Sequence, residues 1–169
     1  NTRTAIGQNV TEKRIFQSRT VGRSALFSWL FTLYRTLDAI RIREHLRRAE
    51  RELRRTTPDR LDAKQRERRS HHLDTLGEYR RRAKFPTNES VPERCPQFVG
   101  GNGVPCAIAA LLLADGEDEL VASVAATDNA VRIEELTDGP ILDWLAENGI
   151  TQDEAARIQP GYTEGAVGQ

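Results

Sequence analysis

Cys95-Pro96-Gln97-Phe98-Val99-Gly100-Gly101-Asn102-Gly103-Val104-Pro105-Cys106 joins two halves of opposite chemistry and carries both cysteines of the chain. Up to Arg94 there are 23 Lys+Arg against 12 Asp+Glu, a net of +11, and from Cys95 onward 2 against 13, a net of −11. The balanced totals of 25 and 25 therefore conceal a strong internal dipole. Three glycines in four positions demand a chain reversal, because glycine alone adopts left-handed backbone without a Cβ clash. Two registers compete for it. A two-residue turn at Gly100-Gly101 sets Cys95 opposite Cys106, which suits a disulfide, whereas a turn at Asn102-Gly103, the stronger local signal, breaks that pairing.

Upstream of this reversal the pattern is helical. Ser24-Ala25-Leu26-Phe27-Ser28-Trp29-Leu30-Phe31-Thr32-Leu33-Tyr34 is strongly apolar, and Leu37, Ile40, Leu46, Ala49 and Leu53 continue it at three- and four-residue steps. One long amphipathic helix from about Ser24 to Arg55 is expected. Thr57-Pro58 should stop it and start a second helix running to about Ala83, since proline is tolerated only in a first helical turn. A connection this short folds the two helices back as an antiparallel hairpin ending at Phe85-Pro86. Between Leu61 and Leu73 the second helix is polar nearly all round, which suits a projecting tip or contact face. Residues 1–23 show no sustained period and are expected to be an extended segment ordered by a partner.

Downstream, Pro105 opens a helix, Cys106 to Leu113, that is apolar on nearly every side and belongs in the middle of a fold. Glu117 to Thr127 reads as an amphipathic helix, and Val131-Arg132-Ile133 as a short strand. Pro140 to Glu147 is a helix capped by Asp138 and closed by Gly149, and Thr151-Gln152-Asp153-Glu154 is a capping box opening the last helix, which Pro160 ends. The expected fold is mainly α: a long antiparallel helical hairpin (24–86), then a compact bundle of short helices with a small β-hairpin or turn clasp (87–169), the two packing as one domain behind the docking segment 1–23.

Phe85-Pro86-Thr87-Asn88, Pro96-Gln97-Phe98-Val99, Gly103-Val104-Pro105-Cys106-Ala107, Asn129 and Glu154-Ala155-Ala156-Arg157-Ile158-Gln159-Pro160-Gly161-Tyr162 together resemble a family of predicted secreted bacterial proteins with the pattern F-P-x-N, P-x-F, G-x-x-C-A, E-A-A-x-I-Q-P-x-Y. The resemblance covers about residues 45–162 and implies export without implying an activity. Cys106 falls on the family pattern, whereas Cys95 stands where the family usually has another residue. No Met occurs, position 1 included, as expected of a chain whose targeting segment has been removed. In an extracytoplasmic setting, periplasmic in a Gram-negative bacterium, the two cysteines are read as a disulfide; a reducing compartment would leave them as thiols.

Catalytic signatures are weak. The Gly100 to Gly103 run lacks the Lys-Ser/Thr of a phosphate-binding loop, and its helix opens with a proline that has no amide to offer. Two cysteines and the remote His45, His71 and His72 lack zinc spacing, so no metal or other cofactor is expected. Cys106 at a helix start would make a nucleophile only with a base beside it, and no histidine is placed there. Paired acids such as Asp118-Glu119 and Glu134-Glu135 read as surface. An arginine-rich hairpin could track a nucleic-acid backbone, but Glu44, Glu50, Glu52, Glu67 and Glu78 interleave at helix-pair spacing.

The expectation is therefore a non-catalytic extracytoplasmic interaction protein, an accessory or stabilising subunit peripheral to the membrane and docked on a larger membrane-embedded protein complex, such as a respiratory or photosynthetic one. Ile15, Phe16, Phe27, Trp29, Phe31, Tyr34 and Arg35 are the candidate docking surface, with possible lipid headgroup contact through the arginines. The alternatives are nucleic-acid binding by the hairpin and a thiol-dependent enzyme using Cys106. The apolar run of eleven residues falls short of the roughly 20 that span a bilayer, so no transmembrane segment is expected.

Overall fold

The structure, a computed structural model, describes residues 11–87 and 96–160, with side chains throughout except at 11–28, 30–32 and 34. The chain divides into two units, Asn1–Asp38 and Ala39–Gln169. In the first, helix α1 (Thr11–Arg55) begins thirteen residues before the expected Ser24. Once a helical segment exists, each further residue adds a hydrogen bond without a new nucleation cost, and 11–23 contains no proline to stop that propagation.

The second unit is the expected helical hairpin and bundle. Within it α1 ends at Arg55, where two arginines occupy the last turn and Thr56 returns both its backbone N–H and its hydroxyl to the Glu52 carbonyl, each at 3.0 Å. Helix α2 (Ala63–Arg82) starts five residues later than Pro58. The reason is a better cap: Asp62 Oδ1 accepts from Gln65 N at 2.8 Å while Gln65 Oε1 accepts from Asp62 N at 3.0 Å, a reciprocal capping box that Thr57 has no partner to match. Arg54 pairs with Asp74 at 2.7 Å and Arg80 with Glu50 at 3.1 Å, so residue numbers fall on α1 as they rise on α2 and the pair is antiparallel.

Helices α3 (Ala107–Ala114), α4 (Asp118–Thr127), α5 (Pro140–Glu147) and α6 (Gln152–Ile158) complete the bundle. The all-round apolar α3 is its centre and packs against α2, α4 and α6, with Ile108, Ala109, Leu111 and Leu112 fully buried. Around it the core takes Ile42, Leu46, Ala49 and Leu53 from α1, Leu73 and Leu76 from α2, and Trp144, Leu145, Ala155 and Ile158 from the last two helices. The α6 capping box forms as expected, Thr151 against Glu154. On α5 the expected Asp138 cap is replaced by Gly139 at φ 110°, with no side-chain cap bond.

Two expected β features are absent among the described residues. Val131-Arg132-Ile133 is no strand: Val131 and Ile133 are buried, but the Gln159 side chain accepts from Ile133 N and donates to Val131 O, and Ile133–Glu135 closes as a 3-10 turn. One amide side chain thus takes the place of a partner strand. Nor is there a β-hairpin at the glycine run, only the single bridge Val99↔Pro105. Gly100 N donates to Val104 O at 2.9 Å and Cys106 N to Phe98 O at 2.8 Å, so the reversal centres on Asn102. The Gly100-Gly101 register is not adopted, and Phe98, not Cys95, stands across from Cys106. Cys95 itself lies outside the described residues.

The reversal is nonetheless a clasp. Gly101 N donates to Thr87 O, the Asn102 amide to Phe85 O, and the Tyr79 hydroxyl to Pro105 O, tying the arch to the end of α2. A Cβ at Gly100 would stand 2.6 Å from Thr87 N and 2.8 Å from Pro86 Cα, both backbone atoms, which is why the arch can lie so close to Phe85-Pro86.

Candidate functional site

Helix α1 carries an exposed apolar face. Trp29 is 61% exposed, Leu33 41% and Leu37 57%, and their spacing of four places them on one side of the helix. Ile40, three residues on, is 59% exposed. At 3.6 residues per turn each position advances about 100°, so Ile40 lies about 160 to 200° around the helix from Ile42 and Ala49. Ile42, Leu46, Ala49 and Leu53 use that far side for the core. The sequence reading merged these into one continuous face. They are two stripes: Leu37 and Ile40 do not continue onto the face that carries Leu46 and Leu53.

Of the expected docking residues, Trp29 and Arg35 are exposed. The side chains of Ile15, Phe16, Phe27, Phe31 and Tyr34 lie outside the described residues. Leu33 and Leu37 were missed as surface, although a comparison of helical angle before and after Ile40 carries the signal. Among the described residues no helix is long and apolar enough to cross a membrane.

The alternative chemistries find poor geometry. Cys106 is a free thiol, buried, and caps the N-terminus of α3 by accepting from Ala109 N at 3.5 Å. Burial outweighs that amide contact and pushes the thiol up to about 11, so at neutral pH the thiolate needed for attack is scarce. Native protein should therefore leave Cys106 unmodified by iodoacetamide at pH 7.5 over a period in which denatured protein reacts fully; mass spectrometry of the Cys106 peptide reads the difference. Among the described residues no three His, Cys, Asp or Glu side chains gather as metal ligands.

Several arginines of the hairpin are engaged within the protein. Glu44 takes Arg47 at 2.7 Å and Arg48 at 3.1 Å, and these guanidinium bonds hold its carboxyl down to about 2. Glu50 takes both Arg54 and Arg80, and Glu78 takes Arg82. Each such pair removes positive charge from the face that would track a phosphate backbone.

The most consequential charge lies in the stretch that the sequence assigned to a projecting tip or contact face rather than to a core. Arg69, 3% exposed, sends Nη1 to Glu154 Oε2 and to Gly149 O at 2.8 Å each, and Nη2 to Glu154 Oε1 at 2.6 Å, Leu53 O at 2.8 Å and Thr56 O at 3.1 Å. One planar guanidinium thereby holds the end of α1, the loop before α6 and α6 itself. Gln65 adds a bond to Ala146 O at 2.9 Å, and Gly149 at φ 65° lies so close that a Cβ there would stand 2.9 Å from Gln65 O. The polar stretch 62–72 is thus the seam between the basic hairpin and the acidic half. Arg157 with Glu52 at 2.8 Å and Arg68 with Glu147 at 3.8 Å extend it at the surface. Comparison with known protein families, with characterised proteins and with solved structures returns no match, so function has to be argued from this geometry.

Proposed function

We propose that this protein is a non-catalytic interaction subunit that works outside the cytoplasm, docked through α1 on a larger membrane-associated protein assembly. The observation that carries the reading is the exposed stripe of Trp29, Leu33 and Leu37. Isolated exposed apolar residues are ordinary, but a tryptophan and two leucines on one helical face mark an interaction surface. Its spacing favours a partner helix over a lipid surface: Leu26, Leu30, Leu33, Leu37 and Ile40 follow one another by four, three, four and three residues, the seam that packs knobs into holes on another helix. Burial of Cys106, which pushes its thiol up, and the pairing of several hairpin arginines weigh against the thiol-enzyme and nucleic-acid alternatives.

The test uses the full chain expressed in its native host and purified from membranes in mild detergent. Leu33→Asp with Leu37→Asp should abolish co-purification with the assembly while leaving the melting temperature of the isolated protein nearly unchanged, because exposed substitutions usually shift stability by less than about 0.5 kcal/mol. Trp29→Ala should weaken the complex about thirtyfold, the effect of losing an aromatic anchor worth about 2 kcal/mol. Undiminished co-purification of the double variant would overturn the docking face. Binding of the isolated protein to protein-free anionic vesicles, lost in the same variant, would replace the protein partner by lipid.

A further inference from the structure

His72 lies on α2, 1% exposed, among groups that accept it only as a neutral ring. The Asn148 amide nitrogen donates to Trp144 O at 2.8 Å, which leaves Oδ1 as the acceptor facing His72 Nε2 at 3.0 Å. Nε2 must therefore carry the proton, and Nδ1 is a bare, buried nitrogen with no hydrogen-bond partner among the described residues. The Trp144 ring stands edge-on to the imidazole at 4.9 Å, and its own Nε1 donates to Asp115 Oδ2 at 2.9 Å. One imidazole thus connects α2 to α5 and, through Trp144, to the end of α3.

A proton added at Nδ1 would be a buried donor aimed at nothing, and the ring would become a charge in a site lined by Trp144 and by the Asn148 amide. The charged groups around it do not offset this. Asp115, after α3, favours the imidazolium, but its Oδ2 is occupied by Trp144; His71 and Arg68 on α2 oppose it, and Arg68 pairs with Glu147 of α5 at 3.8 Å. Burial, the largest influence, holds the His72 pKa below the usual histidine value. The helix that would yield is α5, only eight residues long and bounded by Gly139 at φ 110° and Gly149 at φ 65°. Glycines absorb large backbone changes, and the Gly149 end is pinned by Arg69 while the Gly139 end has no side-chain cap.

We propose that His72 is a proton-operated latch: neutral, it holds α5 on α2; protonated at Nδ1, it releases Trp144 and Asn148, and α5 swings from its Arg69-pinned end while the rest of the bundle stays folded. The neutral form is favoured in the closed state, so the latch is fully closed above about pH 6.5, the ordinary histidine value, and loosens as the pH falls from there towards the depressed value of the closed state. A single proton sets the steepness. The closing equilibrium should fall about tenfold per pH unit in that window.

The experiment follows the indole N–H cross-peak of Trp144 and the amide protection factors of α5 in the full chain from pH 8 to 4.5, with far-UV circular dichroism recorded alongside. The expected result is loss of the Trp144 cross-peak and a protection loss approaching tenfold per pH unit in α5, with most of the helical signal retained. His72→Gln keeps a donor for Asn148 but cannot titrate, and should flatten the dependence; His71→Gln should leave it in place. An unchanged acid transition in His72→Gln overturns the latch, as does a Trp144 change that coincides with loss of the whole helical signal. Should His72→Gln fail to fold, nitrogen-15 shifts of the wild-type imidazole decide: a pKa at or above 6.5, or a proton on Nδ1 at pH 8, refutes it.

Discussion

Glu154→Ala is expected to lower the unfolding free energy by about 3 to 5 kcal/mol, the cost of leaving one member of a buried ion pair uncompensated. The magnitude follows from what stays behind. The acceptors left to the Arg69 guanidinium, the carbonyls of Leu53, Thr56 and Gly149, are neutral. Glu154 also closes the α6 capping box by accepting from Thr151 N at 2.9 Å, so the same substitution unties the start of α6. Arg69→Met strands the carboxylate and three carbonyls instead and should cost a similar amount. The double variant, with both charges gone, should cost less than the sum of the two singles, because residues sharing one network do not contribute additively. Urea titration of the four proteins gives the cycle. A loss under about 1 kcal/mol for Glu154→Ala, the level of an exposed pair, would mean that water reaches the seam and screens the charges.

Phe98→Ala should cost about 3 to 5 kcal/mol, the range for emptying a fully buried aromatic site. Phe98 is 1% exposed, and its backbone is held on both sides, N–H to Asn129 O at 2.7 Å and carbonyl to Cys106 N–H at 2.8 Å. That anchorage prevents the chain from collapsing into the vacated space. The Asn129 side chain reinforces it, with Oδ1 accepting from Val99 N and Nδ2 donating to Val99 O and Gln97 Oε1. Phe98→Leu, which keeps most of the volume, should cost well under half as much. Thermal and urea denaturation compare the two; equal losses would point to the backbone of the arch, rather than the ring, as the stabilising element.

Both predictions concern residues whose importance the sequence conveys unequally. Phe98 is a lone aromatic between Pro96 and the glycines, so its residue type at least sets it apart from its neighbours. Arg69 sits in Arg66-Glu67-Arg68-Arg69-Ser70-His71-His72, where every side chain is polar and the helical pattern offers no reason to prefer one arginine over its neighbours. Its burial depends on a carbonyl fork from α1 and a carboxylate 85 positions away, and no local rule relates them. The same holds for His72, whose only signal in the sequence was its adjacency to His71.

The candidate docking face shows the converse. Apolar spacing along α1 identified a helix and its end at Arg55, but neither its start at Thr11 nor the number of faces it presents. Trp29, Leu33 and Leu37 are exposed, whereas Ile42, Leu46, Ala49 and Leu53 are buried. Period alone reports that residues are apolar every third or fourth position, and a change of face in mid-helix disturbs only one step of that count.

What the sequence by itself determined is local: the end of α1 at Arg55, the bounds of α5, the capping box of α6, and the burial of α3, each set by short-range patterning, capping hydrogen bonds or apolarity. Tertiary structure alone decided which start signal α2 obeys, the register of the glycine arch, the conversion of the expected strand into a 3-10 turn held by Gln159, and the choice of Arg69 and His72 for burial. The physical reason is common to all four. Each is a competition between local options that differ little in energy, and the winner is set by hydrogen bonds and burial supplied from residues distant in sequence.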